Sequence, residues 1–164
     1  MDNIRKYMAF ICLLFSFLSL YFVACAEVSV GKEAPEISAE NWLYGNGLKL
    51  ADSKDKIVVV EFWATWCPPC RESIKHLKKM NAEYKTKNVV FVSLTNEDKA
   101  TVEKFNHKAK PESKMDWLVG TGSNTANQYG VRGIPQAFIV QNGIITWSGH
   151  PMDGLDKRLA ELTR

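Results

Sequence analysis

The chain has 164 residues and a formal net charge of +3, from 21 lysine and arginine residues against 18 aspartate and glutamate residues. This length is about that of one ordinary domain once an N-terminal segment is set aside. The basic residues are scattered among acidic ones and form no block, so we expect no nucleic-acid partner.

The first 26 residues are predicted to be a signal peptide or membrane anchor, and residues 27–164 to be one domain. Arg5 and Lys6 precede an uncharged, largely apolar run over residues 7–26. A basic start followed by an apolar run is typical of a secretory signal, although this run also reaches transmembrane length. The domain is therefore expected outside the cytoplasm, in the periplasm or on the outer face of the membrane, and tethered to the membrane.

Three ways of processing this segment stay open. Ala24 and Ala26 form an A-x-A pattern, so cleavage before Glu27 would release a soluble protein. The letters VAC, which end at Cys25, resemble the end of a bacterial lipobox and would make Cys25 a lipidated first residue, although Phe22 stands where that motif usually has leucine. The third outcome is an uncleaved helix whose basic start stays in the cytoplasm.

The remaining chain alternates between patterns typical of strands and patterns typical of helices. IVVVEFW, residues 57–63, is apolar except for Glu61, which predicts a central strand covered on both faces. Apolar residues at helical spacing predict an amphipathic helix from residue 70 to about residue 87. The other predicted elements are an N-terminal hairpin of strands 37–43 and 48–50, a strand over 89–94, a helix from the TNED segment to about residue 109, a strand within 115–120, a short helix within 123–131, a hairpin of 135–140 and 144–149, and a final helix with Leu155, Leu159 and Leu162 facing inward. This order implies an α/β domain with a mixed central sheet flanked by helices.

Two cysteines, Cys67 and Cys70, are the only ones in the predicted domain, because Cys12 and Cys25 belong to the N-terminal segment. A pair this close encloses too small a loop to stabilise the chain much through entropy, so we interpret the pair as chemical. A cysteine at the start of a helix has a stabilised thiolate, since unsatisfied backbone N–H groups and the helix dipole both favour negative charge there.

Pro68 and Pro69, between the cysteines, fit a helix start at little conformational cost. The residue before a proline avoids the helical region, so the helix proper is expected to begin at Pro69. The prolines also remove two N–H donors that would have held a thiolate, and a pair with a less stabilised thiolate is more reducing. We therefore predict a reductant, with Arg71 acting in the opposite direction.

Several motifs together resemble one known family. WCPPC after an apolar strand, GIPQAFIV far downstream, a glycine-turned hairpin and a last helix are similar to the thioredoxin fold. The early APEIS segment and the additional helix and strand between residues 97 and 119 resemble the TlpA/ResA-like branch of exported thiol-disulfide oxidoreductases. The resemblance covers nearly everything after residue 30. It implies a thioredoxin fold with an N-terminal β-hairpin and a central helix–strand insertion.

The resemblance also implies roles for the residues of the site. Cys67 would be the nucleophile and Cys70 the resolving cysteine, and their redox-active disulfide would need no other cofactor and no metal ion. Glu61 occupies the place where thioredoxins carry a buried aspartate, and a desolvated carboxyl with a raised pKa would suit proton transfer. The alternative is a glutamate at an exposed strand end, paired with a lysine.

Substrate contacts are predicted at Ile134, Pro135 and Trp66. In the family, the loop before this strand holds a cis proline opposite the cysteines, and the backbone of the preceding residue pairs with an extended substrate. An ordinary trans turn proline is the alternative for Pro135. Trp66, beside Cys67, either lines the contact surface or simply packs.

The expected partners are the thiols and disulfides of exported proteins and, as for relatives, a membrane electron donor of the DsbD or CcdA type. We expect a monomer. A thiol peroxidase is one alternative, since APEIS also occurs in peroxiredoxins, but Thr65-Trp66-Cys67 is one residue short of their usual Thr-x-x-Cys pattern. A copper-binding or copper-delivery module is the other, since thiolates select Cu(I).

Overall fold

The computed structural model describes residues 28–164. The predicted signal peptide or anchor, with Cys12 and Cys25, lies outside the described residues. No helix within residues 28–164 combines the length and the apolar character needed to cross a membrane.

The described residues form a mixed six-stranded sheet in the order β1-β4-β3-β2-β5-β6. The strands are β1 (Asn41–Leu43), β2 (Ile57–Phe62), β3 (Val89–Leu94), β4 (Leu118–Thr121), β5 (Gln136–Gln141) and β6 (Ile144–Gly149). β3 is parallel to both β2 and β4, while the pairs β1–β4, β2–β5 and β5–β6 are antiparallel. The helices are α1 (Pro68–Tyr84), α2 (Lys99–Lys108), α3 (Thr125–Gln128) and α4 (Leu155–Leu162), with short 3-10 helices at Leu50–Asp52 and Pro111–Ser113. The predicted mixed sheet flanked by helices is confirmed, including the central helix and strand, α2 and β4.

The sheet separates two hydrophobic cores, because successive residues of a strand point to opposite faces. On one face, Val59 and Trp63 of the central β2 region pack with the inward residues of α1, α2 and α4. On the other face, Val58 and Val60 pack with Tyr129 and the segment before β1. All six residues of β2 are buried, as the apolar run predicts for a central strand.

The predicted N-terminal hairpin is wrong. β1 pairs with β4, so it covers an edge of the sheet that is distant in sequence. The second predicted strand is replaced by the 3-10 helix that begins at Leu50. The physical reason is the Glu36 carboxylate, which accepts hydrogen bonds from the backbone N–H groups of Leu50 (2.7 Å) and Ala51 (3.1 Å). These N–H groups therefore need no partner strand.

The predicted start of the long helix at Pro69 is also wrong, since α1 begins at Pro68. Cys67 is the residue that takes the extended conformation, with φ −87° and ψ 107°, and it acts as the N-cap. The first helical position needs no N–H, so a proline fits there. The Arg71 N–H donates to the Cys67 carbonyl at 3.2 Å, which closes the first turn over both prolines.

Candidate active site

Cys67 and Cys70 form a disulfide at the start of α1, with their Cα atoms 5.3 Å apart. The Cys67 sulfur accepts a hydrogen bond from the Cys70 N–H at 3.3 Å. That N–H is the first one in the helix, because the two preceding positions are prolines. Cys67 is 3% exposed and Cys70 is 0% exposed, so Cys67 is the outer and Cys70 the inner member of the pair.

The loop from β5 completes the surroundings of Cys67. The Ile134 carbonyl oxygen lies 3.8 Å from the Cys67 sulfur, although the two residues are 67 positions apart in the chain. The Ile134–Pro135 peptide bond is cis, as expected, and Pro135 is buried. Pairing of β5 with the full length of β2 brings this loop to the carboxyl end of β2, where the cysteines follow.

Trp66 lies at the rim of the site and is 66% exposed, an unusual position for so large an apolar side chain. It borders a groove of about 330 Å³ that is also lined by Ile134 and Arg132. A second groove, on the other side of Trp66, is bordered by Arg71 and by residues of α2. The predicted substrate residues Trp66 and Ile134 therefore line the same opening beside Cys67.

Glu61 is buried beneath the site. Its side chain shares a sheet face with Val59 and Trp63, which belong to the same hydrophobic core as Cys70. Glu61 is 1% exposed, and neither carboxylate oxygen has a partner within hydrogen-bonding geometry. The alternative of an exposed, lysine-paired glutamate is therefore wrong.

Burial raises the pKa of Glu61 to about 7, from an ordinary value of 4.5. The hydroxyl of Ser93, its cross-strand neighbour, acts in the opposite direction and lowers this pKa in part. The Trp63 indole N–H, two positions along the same face, also has no partner. Around neutral pH this carboxyl can therefore both take up and release a proton, as a general base or acid requires.

A contact that the sequence analysis missed holds the loop before Cys67. The Glu97 carboxylate accepts two hydrogen bonds of 2.6 Å from Thr65, one from its backbone N–H and one from its hydroxyl. The Arg71 Nε donates to the Thr65 carbonyl at 2.7 Å. Thr65 is thus held on both sides, and we call this arrangement the Thr65 clamp. The TNED segment predicted only the cap of α2, which Asp98 provides by accepting from the Thr101 N–H.

The Thr65 clamp counts against the thiol peroxidase alternative, because the threonine that was compared with that of peroxiredoxins already donates its hydroxyl proton to Glu97.

Within residues 28–164, no three histidine, cysteine, aspartate or glutamate side chains form a group that could hold a metal ion.

Comparisons with known proteins agree with this geometry. The sequence profile of the AhpC/TSA family matches residues 30–148. The thiol-disulfide oxidoreductase ResA of Bacillus thuringiensis is 29% identical over 120 residues, which are 73% of this chain and 68% of that protein. ResA of Halalkalibacterium halodurans is 28% identical over 127 residues, 77% of this chain and 70% of that protein. A solved thiol-disulfide oxidoreductase from Bacteroides fragilis is 26% identical, with a TM-score of 0.67, and the match covers 80% of this chain and 99% of that one.

The family profile spans well over half of the chain, and the chain therefore belongs to the AhpC/TSA family. The comparisons confirm the thioredoxin-like fold and the resemblance to ResA-type thiol-disulfide oxidoreductases that the WCPPC and GIPQAFIV motifs predicted. They confirm with it the expectation of a protein-disulfide oxidoreductase.

Proposed function

We propose that this member of the AhpC/TSA family exchanges disulfides with exported proteins, with Cys67 as the nucleophile and Cys70 as the resolving cysteine. The observation that carries the proposal is the position of Cys67 as the N-cap of α1, with its sulfur next to the Ile134 carbonyl and Cys70 fully buried behind it. An incoming disulfide can meet only the outer cysteine first.

The reaction then proceeds in two balanced steps. The Cys67 thiolate attacks one sulfur of the substrate disulfide, and the other substrate sulfur leaves as a thiolate that takes up a proton. The Cys70 thiolate next attacks the Cys67 sulfur, which releases the second substrate thiol and forms the Cys67–Cys70 disulfide. The substrate gains two electrons and two protons, and the enzyme loses two electrons and the two protons of its thiols.

Glu61 is proposed as the proton acceptor for Cys70. Cys70 must lose its proton inside the core, where no solvent reaches it. Glu61 faces the same core and has a pKa of about 7. A carboxylate of this pKa is well matched to proton transfer near neutral pH.

Ile134, Pro135 and Trp66 are proposed as substrate contacts. The Ile134 carbonyl lies beside the reacting sulfur and is available to an extended substrate segment, as in the addition of a strand. Trp66 offers an exposed apolar surface next to that path. A peptide held between them would present its disulfide to Cys67.

The direction of reaction is proposed to be reduction of the partner. Pro68 and Pro69 leave the Cys70 N–H as the one backbone donor to the Cys67 sulfur in the described structure. Stabilisation of the thiolate makes a pair oxidising, and here that stabilisation is reduced. Equilibration with glutathione is expected to give a potential nearer to that of thioredoxin, about −270 mV, than to that of DsbA, about −120 mV. A value close to that of DsbA would reject this part of the proposal.

The domain over residues 27–164 is proposed to act outside the cytoplasm as a monomer, tethered by residues 1–26 and reduced by a membrane donor of the DsbD or CcdA type. The uncharged run after Lys6 supports export.

The measured mass of the mature protein distinguishes cleavage before Glu27, lipidation of Cys25 and an uncleaved anchor. Protease treatment of intact cells tests the side of the membrane, and loss of the donor should leave the cysteines oxidised.

The central experiment compares two variants in the native host. Cys70→Ser retains the nucleophile but lacks the resolving thiol, so it should accumulate mixed disulfides with client proteins, visible as reductant-sensitive bands. Cys67→Ser is the matched control and should accumulate far fewer. Equal trapping by both variants, or none by either, would contradict the assigned roles.

A further inference from the structure

We infer that a positively charged groove beside Cys67 docks an acidic segment of the partner protein. The inference rests on the proposed function, and it adds the charge of the substrate surface. The groove, about 360 Å³ in volume, lies between Trp66 and Arg71 on one side and Lys104, Phe105 and Lys108 on the other. We call it the basic groove.

One face of α2 forms the far wall of the basic groove. Thr101, Lys104, Phe105 and Lys108 follow the spacing that brings residues onto a single helical face. Phe105 is half-buried and packs against Trp63, with ring centroids 5.5 Å apart, which fixes this face against the core. The two lysines flank Phe105 and are exposed. This side of the basic groove therefore consists of one fixed aromatic ring, Phe105, and two solvated cations, Lys104 and Lys108.

The carboxylates near the basic groove have other partners. Glu103 pairs with Lys99 at 3.8 Å and Glu72 pairs with Lys75 at 2.9 Å, while Glu97 and Asp98 keep their negative charge and accept hydrogen bonds from Thr65 and Thr101. By contrast, no ion pair within residues 28–164 involves Arg71, Lys104 or Lys108. The groove thus offers three cations that no carboxylate of residues 28–164 pairs with.

The groove on the other side of Trp66 has the same sign of charge. Its one charged lining residue is Arg132, and the neighbouring polar residues there include Asn96, Asn124 and Asn127. No carboxylate lines either groove in the described structure. A partner that passes over Trp66 to reach Cys67 therefore meets positive charge on both sides, and carboxylates next to its own cysteine would complement that charge.

An exposed ion pair typically changes affinity by a factor of about 1.5 to 5, so three cations together should favour an acidic partner about tenfold at low salt. The preference should weaken as salt screens the charges. An anionic lipid surface is the other partner with complementary charge. We favour a protein segment because Trp66, which lines the groove together with the cations, is the chain neighbour of the reactive Cys67, so a segment that reaches this cysteine passes beside them.

The test uses two peptides with the same internal disulfide, one flanked by glutamates and one by serines. The second-order rate of reduction by the reduced full chain is measured for each at low and high salt. We expect the glutamate peptide to react about tenfold faster at low salt and the difference to shrink at high salt. The double variant Lys104→Glu with Lys108→Glu should lose or reverse this preference.

The matched control is Lys79→Glu with Lys85→Glu, which changes the net charge equally. Both control lysines are exposed and lie about 18 Å and 27 Å along α1 from Cys67. The control should keep the wild-type preference. Equal rates for the two peptides, or an unchanged preference in the groove variant, would overturn the inference. If the groove variant does not fold, the wild type still tests the inference, since equal rates for the two peptides at low salt would overturn it.

Two further outcomes are distinguishable. If neither peptide is reduced at any salt concentration, the proposed function itself fails. If both peptides are reduced equally while the wild type, but not the groove variant, sediments with phosphatidylserine vesicles, the basic groove serves a lipid surface and the inference of an acidic protein partner is wrong.

Discussion

Replacing Glu61 by glutamine should remove a pH dependence of stability that the wild type carries. Burial raises the pKa of Glu61 from 4.5 to about 7, so the folded state holds this proton more tightly than the unfolded chain. The resulting stabilisation is fully present below pH 4.5, decreases as the pH rises, and is lost once the pH has passed about 7. Glutamine does not titrate, so the variant lacks this dependence.

The magnitude follows from the two pKa values. The pKa differs by about 2.5 between the folded and unfolded states, and at about 1.4 kcal/mol for each pKa unit this corresponds to about 3–4 kcal/mol. About 2–3 kcal/mol of this should be lost between pH 5 and pH 8, because the rest is lost below pH 5, where the unfolded carboxyl begins to ionise. Glu61 is 1% exposed, so solvent screening does not reduce the effect.

The assay is urea unfolding of the disulfide-bonded protein at several pH values between 5 and 8. The free energy of unfolding of the wild type, relative to that of Glu61→Gln, should fall by about 2–3 kcal/mol over this range. Glu72→Gln, which removes an exposed carboxylate paired with Lys75, controls for the loss of one negative charge. If the wild type and Glu61→Gln lose stability in parallel, the argument from burial is refuted.

Three further changes test other parts of the structure. Glu97→Gln should lower the free energy of unfolding by about 1.5 kcal/mol, because one of its charge-assisted hydrogen bonds to Thr65 is lost, and it should slow disulfide exchange. Urea unfolding and stopped-flow exchange of the same sample measure the two effects. An unchanged exchange rate would show that the Thr65 clamp does not position the loop before Cys67. Asn106→Ala should lower the free energy of unfolding by about 2–4 kcal/mol, since the buried backbone N–H and C=O of Met115 both lose their hydrogen-bond partner. A loss of less than about 1 kcal/mol, measured by thermal or urea unfolding, would contradict this role of Asn106. Trp66→Ala should change the free energy of unfolding by less than about 0.5 kcal/mol, because the side chain is 66% exposed, while reducing the rate on peptide disulfides; a large loss of stability would support the packing alternative.

The elements that could be predicted from the sequence were those with a clear pattern of apolar residues, either a continuous run or a helical spacing. β3 has the predicted bounds, 89–94, because a continuous apolar run is typical of a strand covered on both faces. The burial of Glu61 followed from the same pattern, since its neighbours on both sides are apolar. The WCPPC motif predicted a cysteine pair at a helix start, and the helix begins one residue earlier and ends about three residues earlier than predicted.

The contacts that could not be predicted are those made by polar side chains across long sequence distances. Glu36 decides the conformation of Leu50, 14 residues away, and Glu97 holds Thr65, 32 residues away. Neither glutamate stands in a local pattern that marks it, because a carboxylate can accept from any N–H that the fold brings near it. The predicted hairpin failed for this reason, and the Thr65 clamp was missed.

The separation of 67 residues between Cys67 and Ile134 has a consequence for the chain before it folds. These two residues meet only once β5 has joined β2, so an unfolded chain whose cysteines are oxidised carries a disulfide like those that the protein is proposed to reduce. It would itself be a substrate for its mature copies. Pairing of β5 with β2 places the Ile134 carbonyl beside Cys67, and the chain then has the site with which it is proposed to act on such disulfides.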